Sequence, residues 1–485
     1  MHTYDVIVVG AGPVGLAIAN GLRKRRIENI LVLDQTRSFR RVGQAVDILP
    51  NGLKALKYLD VKAYTEVKDS LGVINHAKKS PQPSPQWYIR DLQGKIIRSI
   101  ALDYNEWLEK YGEGRVSIAW FDLQTALRNL LPQEQVKANH RCVNVVHESE
   151  NQWVRVDCLS DTTLEANPYA HWNSQKSTAQ TQPSNISSSI EESARISFRA
   201  KLVIAADGIN STVRKAIYKN TIYDNFSIPK YSGYAAIFVP EITDIPEKIA
   251  SEIKAKFLQC LPIVTITQGT KTRDSGFEIS PRIILVNKTL GKFAFAINLP
   301  FDKNQLQEKY LIKNLTLQKL EKDNFPSPIQ DLVRLSNPDN IQFRTFHIHA
   351  AADVNSLSFP TTAKLNNDDN SSLQSPWYQG RVVLVGDAAH GMPPFAGQGV
   401  NQGLESSLAI TELINQLIAS DKLNDTEAIQ KTFTKYETLR RPLMAYIQKA
   451  TMSGLSFSTR VEELEEYYQK VFARDFDKVV EAINN

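Results

Sequence analysis

The chain has 485 residues, more than one compact core accommodates, so two or three units are expected. Its 57 basic and 52 acidic side chains leave a formal charge of +5, and 42% of residues are hydrophobic; this is an ordinary globular composition and no nucleic-acid footprint. No apolar run of about 18 residues occurs, which argues against a membrane-spanning helix. The chain starts almost directly with a strand, leaving no room for a targeting peptide. Three cysteines, Cys142, Cys158 and Cys260, show neither metal-ligand spacing nor an even-numbered framework, so a reducing, cytoplasmic compartment is expected.

Val6 to Val9 form a short apolar run, as a strand buried on both faces requires. Leu16, Ala19 and Leu22 then recur at helical spacing, and Ile30 to Leu33 is a second buried strand. The basic run Arg23 to Arg26 falls at the end of that helix, where it complements the dipole. Asn51 to Leu59 and Phe121 to Leu131 read as helices; Val143 to Val146, Trp153 to Cys158 and Ile196 to Ile204 read as strands. Between the last two, from about Asp161 to Ser193, the chain is rich in Ser, Thr, Gln and Asn. Such a stretch buries too little apolar area to order itself, so a disordered insertion is expected, with Lys364 to Ser375 a second such loop. Tyr231 to Pro240, Ile263 to Gln268, Ile283 to Asn287 and Phe293 to Asn298 predict a mixed sheet in a second lobe. Gln402 to Ala419 and Glu427 to Ala450 read as long helices. Val461, Leu464, Tyr468, Val471, Phe472 and Val479 carry a helical packing stripe to the end.

Three strings carry chemistry. The first is Tyr4 to Gly15, in which Gly10, Gly12 and Gly15 have the GxGxxG spacing between a strand and a helix. The first glycine allows a tight turn, the second allows a pyrophosphate to approach the backbone, and the third allows the helix to pack on the sheet. The helix N-terminus offers free amides to the phosphates. Asp34 closes the next strand about 20 residues on, where a carboxylate can accept both ribose hydroxyls. The second string, Leu202 to Arg214, is again strand, acidic turn and helix, with Asp207-Gly208 at the turn. By itself it could be an ordinary turn with Ser211 as a cap. The third string runs from Arg381 through Gly386-Asp387 to Pro393-Pro394-Phe395-Ala-Gly397-Gln-Gly399-Val400-Asn401. Asp387 stands at a carboxyl strand end, suited to a ribityl hydroxyl, and the glycines let backbone approach a flat ring. The following helix aims its N-terminal amides at that ring, where an anionic reduced flavin would be stabilised. Two dinucleotide-type sites so far apart point to FAD, which is long enough to need both.

Together these strings resemble the class A flavoprotein monooxygenases, the family of p-hydroxybenzoate and salicylate hydroxylases. Gly10 to Gly15 resembles the family's FAD signature, Ala206 to Arg214 its Asp-Gly motif, and Gly386 to Asn401 its Gly-Asp motif. The resemblance implies an α/β fold: a Rossmann-like FAD-binding domain (1–75, 115–220 and 378–420) interleaved with a mixed β-sheet substrate domain (76–114 and 221–377), plus C-terminal helices (421–485). It implies that Asp34 holds the adenosine ribose, Asp387 the ribitol, and the Gly397 to Asn401 amides the flavin ring, with Pro394 beside them. It also implies that Arg41 approaches the pyrophosphate and that Asp207 and Arg214 support the phosphates and a transient nicotinamide site. Asp34 stands where the family more usually has Glu, and Trp120 to Leu123 where many members have Arg.

The implied activity is that of an FAD-dependent monooxygenase. NAD(P)H would reduce the flavin, and oxygen would add at C4a to give a hydroperoxide that hydroxylates or epoxidises a small aromatic or polycyclic/isoprenoid substrate. The flavin carries such chemistry, so no catalytic triad is expected. Asp47 is the one polar side chain offered near the substrate, and His390 reads as structural. A flavin-dependent reductase of the geranylgeranyl reductase type and a non-enzymatic FAD-binding protein are the alternatives. The chain lacks the former group's Tyr-x-Trp-x-Phe-Pro string and shows no pair of tryptophans two apart, as flavin halogenases have.

Overall fold

The computed structural model describes residues 3–36, 45–70, 85–148, 152–161, 193–273, 276–288, 292–302, 304, 309–352, 357, 374–455 and 461–485. The chain opens with β1 (Thr3–Val9), α1 (Pro13–Lys24), β2 (Ile30–Leu33), β3 (Ala45–Ile48), α2 (Pro50–Leu59) and α3 (Val61–Asp69). Pro13 and Pro50 stand in the first helical turns, where a missing N–H costs nothing and the fixed φ is already helical. There follow β4 (Gln86–Arg90), β5 (Ile96–Ala101), α4 (Tyr104–Tyr111), β6 (Val116–Ala119), α5 (Trp120–Arg128), β7 (Val136–Lys137), β8 (Arg141–Glu148), β9 (Trp153–Asp161), β10 (Ser193–Ala205) and α6 (Thr212–Tyr218). The helices and strands expected in this stretch all form, with ends displaced by a few residues. β4, β5 and α4 were not legible because they bury only part of their surface, so no strict period appears. Asp161 closes β9 and Ser193 opens β10; the insertion expected between them, and most of the loop expected over 364–375, lie outside the described residues.

The second lobe comprises β11 (Lys230–Ile242), α7 (Glu247–Ile253), β12 (Ile263–Thr267), β13 (Thr270–Arg273), β14 (Gly276–Ile279), β15 (Arg282–Asn287), β16 (Phe293–Pro300), α8 (Lys309–Lys322), α9 (Ser327–Leu335) and β17 (Gln342–Ile348). The chain ends with β18 (Tyr378–Gln379), β19 (Val382–Leu384), α10 (Asp387–His390), α11 (Gly399–Ala419), α12 (Thr426–Met452), α13 (Val461–Val471) and α14 (Phe476–Asn484).

An eight-stranded sheet runs β18-β19-β10-β1-β2-β7, with β9 joining β10 and β8 joining β9. Its central pairs, β2–β1, β1–β10 and β10–β19, are parallel. Val6 to Val8 and Leu31 to Leu33 are completely buried, as the apolar runs require for strands covered on both faces. The strand ends therefore bring the first, second and third chemical strings side by side: Val9 pairs with Ala205, and Ala205 with Leu384. A seven-stranded sheet, β17-β11-β16-β15-β12-β4-β5, forms the second lobe, antiparallel except between β12 and β4. Ala235, Ile237, Val239, Ile283, Leu285 and Ile297 turn one face of it to a core with Ile253, Ile312, Leu320 and Ile329 of the helices. By the alternation of strands, Tyr234, Ala236, Phe346 and Ile348 occupy the opposite face, where they meet Phe395 and Met452.

The C-terminal stripe breaks into α13 and α14 and is a packing face: Leu464, Val471 and Phe472 are buried, although Val461 is exposed. Cys142 and Cys158 are free, buried thiols opposite one another on β8 and β9. Among the described residues no helix is long and apolar enough to cross a membrane.

Candidate functional site

At the first string, Gly10 has φ +107°, a conformation that favours glycine. A Cβ there would lie 2.3 Å from the Ala206 carbonyl oxygen, and one on Gly15 would lie 1.9 Å from the Gly10 carbonyl oxygen. Both glycines are thus needed for protein packing alone. Gly12 differs: a Cβ there meets nothing within 4 Å, so its lack of a side chain leaves an open cradle over the backbone. The Ala11 peptide is clamped on both sides, its N–H donating to Asp34 Oδ2 at 2.7 Å and its carbonyl accepting from Gln124 Nε2 at 2.7 Å. α1 has no side-chain cap, which leaves first-turn amides for an anion. Asp34 Oδ1 also accepts the Thr36 N–H at 2.7 Å; each carboxylate oxygen keeps a lone pair for a hydroxyl. Arg41 lies outside the described residues.

At the second string, Asp207 Oδ2 accepts the N–H groups of Thr212 (2.7 Å) and Val213 (3.2 Å), while Oδ1 is buried with no partner in the protein. Burial pushes this carboxyl up, against the hydrogen bonds that lower it. Gly208, at φ +78°, again leaves open space where a Cβ would stand. Arg214, expected to support the phosphates, is bonded within the protein. Its guanidinium is fully buried and donates to the carbonyls of Ala388 (2.9 Å), Ile209 (2.6 Å) and Ser227 (3.3 Å). Arg214 therefore ties the second string to the third, and any support it gives a cofactor is indirect.

At the third string, Gly386 (φ +63°) turns the chain out of β19 into α10. The half-buried Asp387 carboxyl is pushed up to about 6 by burial, against the pull of Arg214 and Arg344. Its Oδ1 is 3.8 Å from where a Cβ on Gly399 would stand, with no other atom within 4 Å of that point. Pro394 and Gly397 are exposed, Gly399 and Val400 half-buried. α11 starts there without a side-chain cap, so the free amides of a 21-residue helix face the space beside Asp387. The open glycines, the orphan acceptor and the two uncapped helix ends together suit a long ligand with anionic and hydroxyl groups; the residues present fit FAD.

Asn401 contributes backbone at this turn, while its side chain holds the turn in place. Its Nδ2 donates to the carbonyls of Asp47 (3.0 Å) and Gly397 (2.7 Å), and its Oδ1 accepts the Leu49 N–H at 2.8 Å. Behind it lies a buried polar cluster that the sequence reading missed. Glu405 Oε2 accepts from Arg440 Nη1 at 2.8 Å and from Arg474; Glu405 Oε1 accepts from Asn51 Nδ2 (2.8 Å) and Gln402 Nε2 (3.0 Å). Burial alone would raise the Glu405 carboxyl, but Arg474, Arg440 and the hydrogen bonds outweigh it and hold the pKa below the ordinary range. The signal available was a charged residue inside an apolar helix stripe, which usually means a buried partner. His390 is structural, as expected: it is buried, bonds Ser406 Oγ at 2.9 Å through Nε2, and lies 5.2 Å from the Trp377 ring. Burial and Arg440 hold it well below the ordinary histidine range.

Asp47 is not a free base. Its Oδ1 accepts from Arg115 Nη2 at 2.6 Å and from Ser117 across the β3–β6 pair. Next to the turn, Phe395 packs edge-on against Tyr234 (5.3 Å) and Phe346 (5.6 Å). Ile279, Met452 and Ile348 complete this apolar wall.

The FAD binding domain family matches residues 3–227 and 340–450. The chain belongs to this family, in the class of FAD-dependent monooxygenases. It binds FAD and is an oxidoreductase of the monooxygenase type. An FAD-dependent monooxygenase of Penicillium crustosum is 22% identical over 94% of this chain and 79% of its own. A 3-amino-4-hydroxybenzoate 2-monooxygenase of Streptomyces cremeus is 24% identical over 92% of this chain and 85% of its own. A salicylate hydroxylase solved as a substrate complex shares the fold, with a TM-score of 0.60 at 16% identity over 99% of this chain and 98% of that one.

Proposed function

We propose that the protein uses NAD(P)H and molecular oxygen to hydroxylate or epoxidise a small aromatic or polycyclic substrate, isoprenoids included. The observation that carries this reading is Phe395. It belongs to the turn assigned to the flavin ring and is packed edge-on to Tyr234 and Phe346 of the second sheet, so an aromatic wall borders the assigned ring position. The relatives' names, one of them an aminohydroxybenzoate monooxygenase, support a ring substrate.

When bound, FAD would supply electron storage and oxygen activation. The chain's own residues would bind and orient it. In this reading the Gly12 cradle and the first-turn amides of α1 take the pyrophosphate, Asp34 the ribose hydroxyls, and Asp387 a ribityl hydroxyl. The amides of Gly397 to Asn401 hold the ring. Asp207 and Arg214 brace the loops between them, and Asp47 fixes Arg115 rather than moving a proton. Tyr234, Phe346 and Phe395 would exclude water from the space beside the ring. Residues 1–75, 115–220 and 378–420 would form the FAD-binding unit, 76–114 and 221–377 the substrate unit, with 421–485 helical; the two separate sheets support that division.

Purified protein is expected to be yellow. Aromatic acids, phenols and isoprenoids should be screened for stimulated NAD(P)H oxidation with matching oxygen uptake and a product heavier by one oxygen atom. Substrate reduction without oxygen uptake would mark a reductase instead, and FAD binding with no NAD(P)H oxidation across the panel would mark a non-enzymatic flavoprotein.

A further inference from the structure

We propose that Arg474, which lies beyond the last residue matched by the FAD binding domain family, is a positioning residue for the flavin-facing turn and acts through Glu405. This rests on the reading that Gly397 to Asn401 face the flavin ring. The family match ends at residue 450, and α13, α14 and the residues between them follow it. That tail is not a loose appendage. Lys54 Nζ, on α2, donates to the carbonyls of Tyr111 (2.7 Å), Phe472 (2.9 Å) and Arg474 (3.1 Å). Phe472 packs edge-on against Trp107 and Tyr111, each at 5.5 Å. These contacts hold the backbone at Arg474 so that its guanidinium reaches into the molecule to Glu405, whose side chain is only 2% exposed.

From Glu405 the contacts run straight to the turn. Asn51 and Gln402 each donate to Glu405 Oε1 and also to Gln398 Oε1, at 3.1 and 2.9 Å in the latter case. Gln398 stands between Gly397 and Gly399 and is 1% exposed. Every hydrogen bond at Glu405 is therefore accepted from a donor. A protonated carboxyl would turn its O–H toward one of these donors, so the cluster keeps this geometry only with Glu405 ionised. Two guanidiniums hold it so. With Arg474 removed, a buried carboxylate is left with half its positive partners. The accessible adjustment is to redirect Asn51 and Gln402, and these two hold Gln398.

The test compares wild type, Arg474→Gln and Arg474→Lys. Two quantities are read: amide hydrogen exchange over residues 397–402 in the FAD-free protein, and FAD affinity by fluorescence titration. Arg474→Gln should speed exchange over 397–402 by about tenfold or more and raise the FAD Kd by a similar factor, with β1 and β10 unaffected. Arg474→Lys should recover most of both. Wild-type exchange and affinity in Arg474→Gln would overturn the proposal, as would an Arg474→Lys variant as impaired as Arg474→Gln. If Arg474→Gln does not fold, Arg474→Lys decides: protection kept over 397–402 supports the proposal and protection lost refutes it. Gly399→Ala tests the underlying reading separately, since it has room in the free protein. It should leave exchange alone and weaken FAD; undiminished FAD affinity would remove the ring-facing reading without touching the Arg474 result.

Discussion

At the adenosine end of the cradle, Gly15 presses against the Gly10 carbonyl within a single strand-turn-helix, Gly10 presses against the Ala206 carbonyl of the neighbouring strand end, and one carboxylate, Asp34, braces the Ala11 amide from the next strand. At the ring end the turn is held by side chains that come from far away in the chain: Asn401 bonds the backbone at Asp47 and Leu49, and Gln398 is held by Asn51. The first site is made chiefly by backbone-to-backbone contact, the second by long-range side-chain hydrogen bonding. Backbone sterics tolerate no adjustment, whereas a hydrogen-bonded cluster can relax part of the way, so the two ends should fail differently.

The largest effect is expected at the adenosine end. Gly15→Val places a Cβ 1.9 Å from the Gly10 carbonyl oxygen, and backbone cannot yield there. The loss should exceed about 4 kcal/mol, seen as failure to accumulate folded protein or to retain flavin absorbance. A folded, yellow Gly15→Val protein would break the comparison. Asn401→Ala should cost less, about 2–4 kcal/mol in urea melts, because it strands two carbonyls and the Leu49 N–H. A loss under about 1 kcal/mol would show that side chains do not hold the ring end.

The smallest effect concerns pH. In the FAD-free protein, burial pushes Asp387 up to about 6, whereas the unfolded chain releases that proton near the ordinary aspartate value of about 4. The folded state then binds more protons between those limits, so this residue's contribution to stability falls as pH rises from about 4 to about 6. The slope should amount to about 1 kcal/mol after solvent screening, and thermal melts of Asp387→Asn over that range should lack it. An equal slope in the variant would move the titration elsewhere.

The amino-acid sequence alone determined the elements whose causes are local. The apolar runs of β1, β2 and β10, the order of the three strings, and the helices that follow them are set by residue type and spacing within about a dozen positions. The same locality made Gly10 and Gly15 readable, and it placed Asp34 and Asp387 at strand ends. What only the tertiary structure decided was which of the remaining polar residues meet. Arg214 is read from its motif as a cofactor residue, yet its guanidinium donates to three carbonyls from separate segments. Asp47, read as a polar group near substrate, is tied to Arg115. Glu405, assigned no role by the sequence, gathers Asn51, Arg440 and Arg474 from three other helices and loops. Burial of charge is a property of neighbours in space, and the period of a helix or strand carries no record of who those neighbours are.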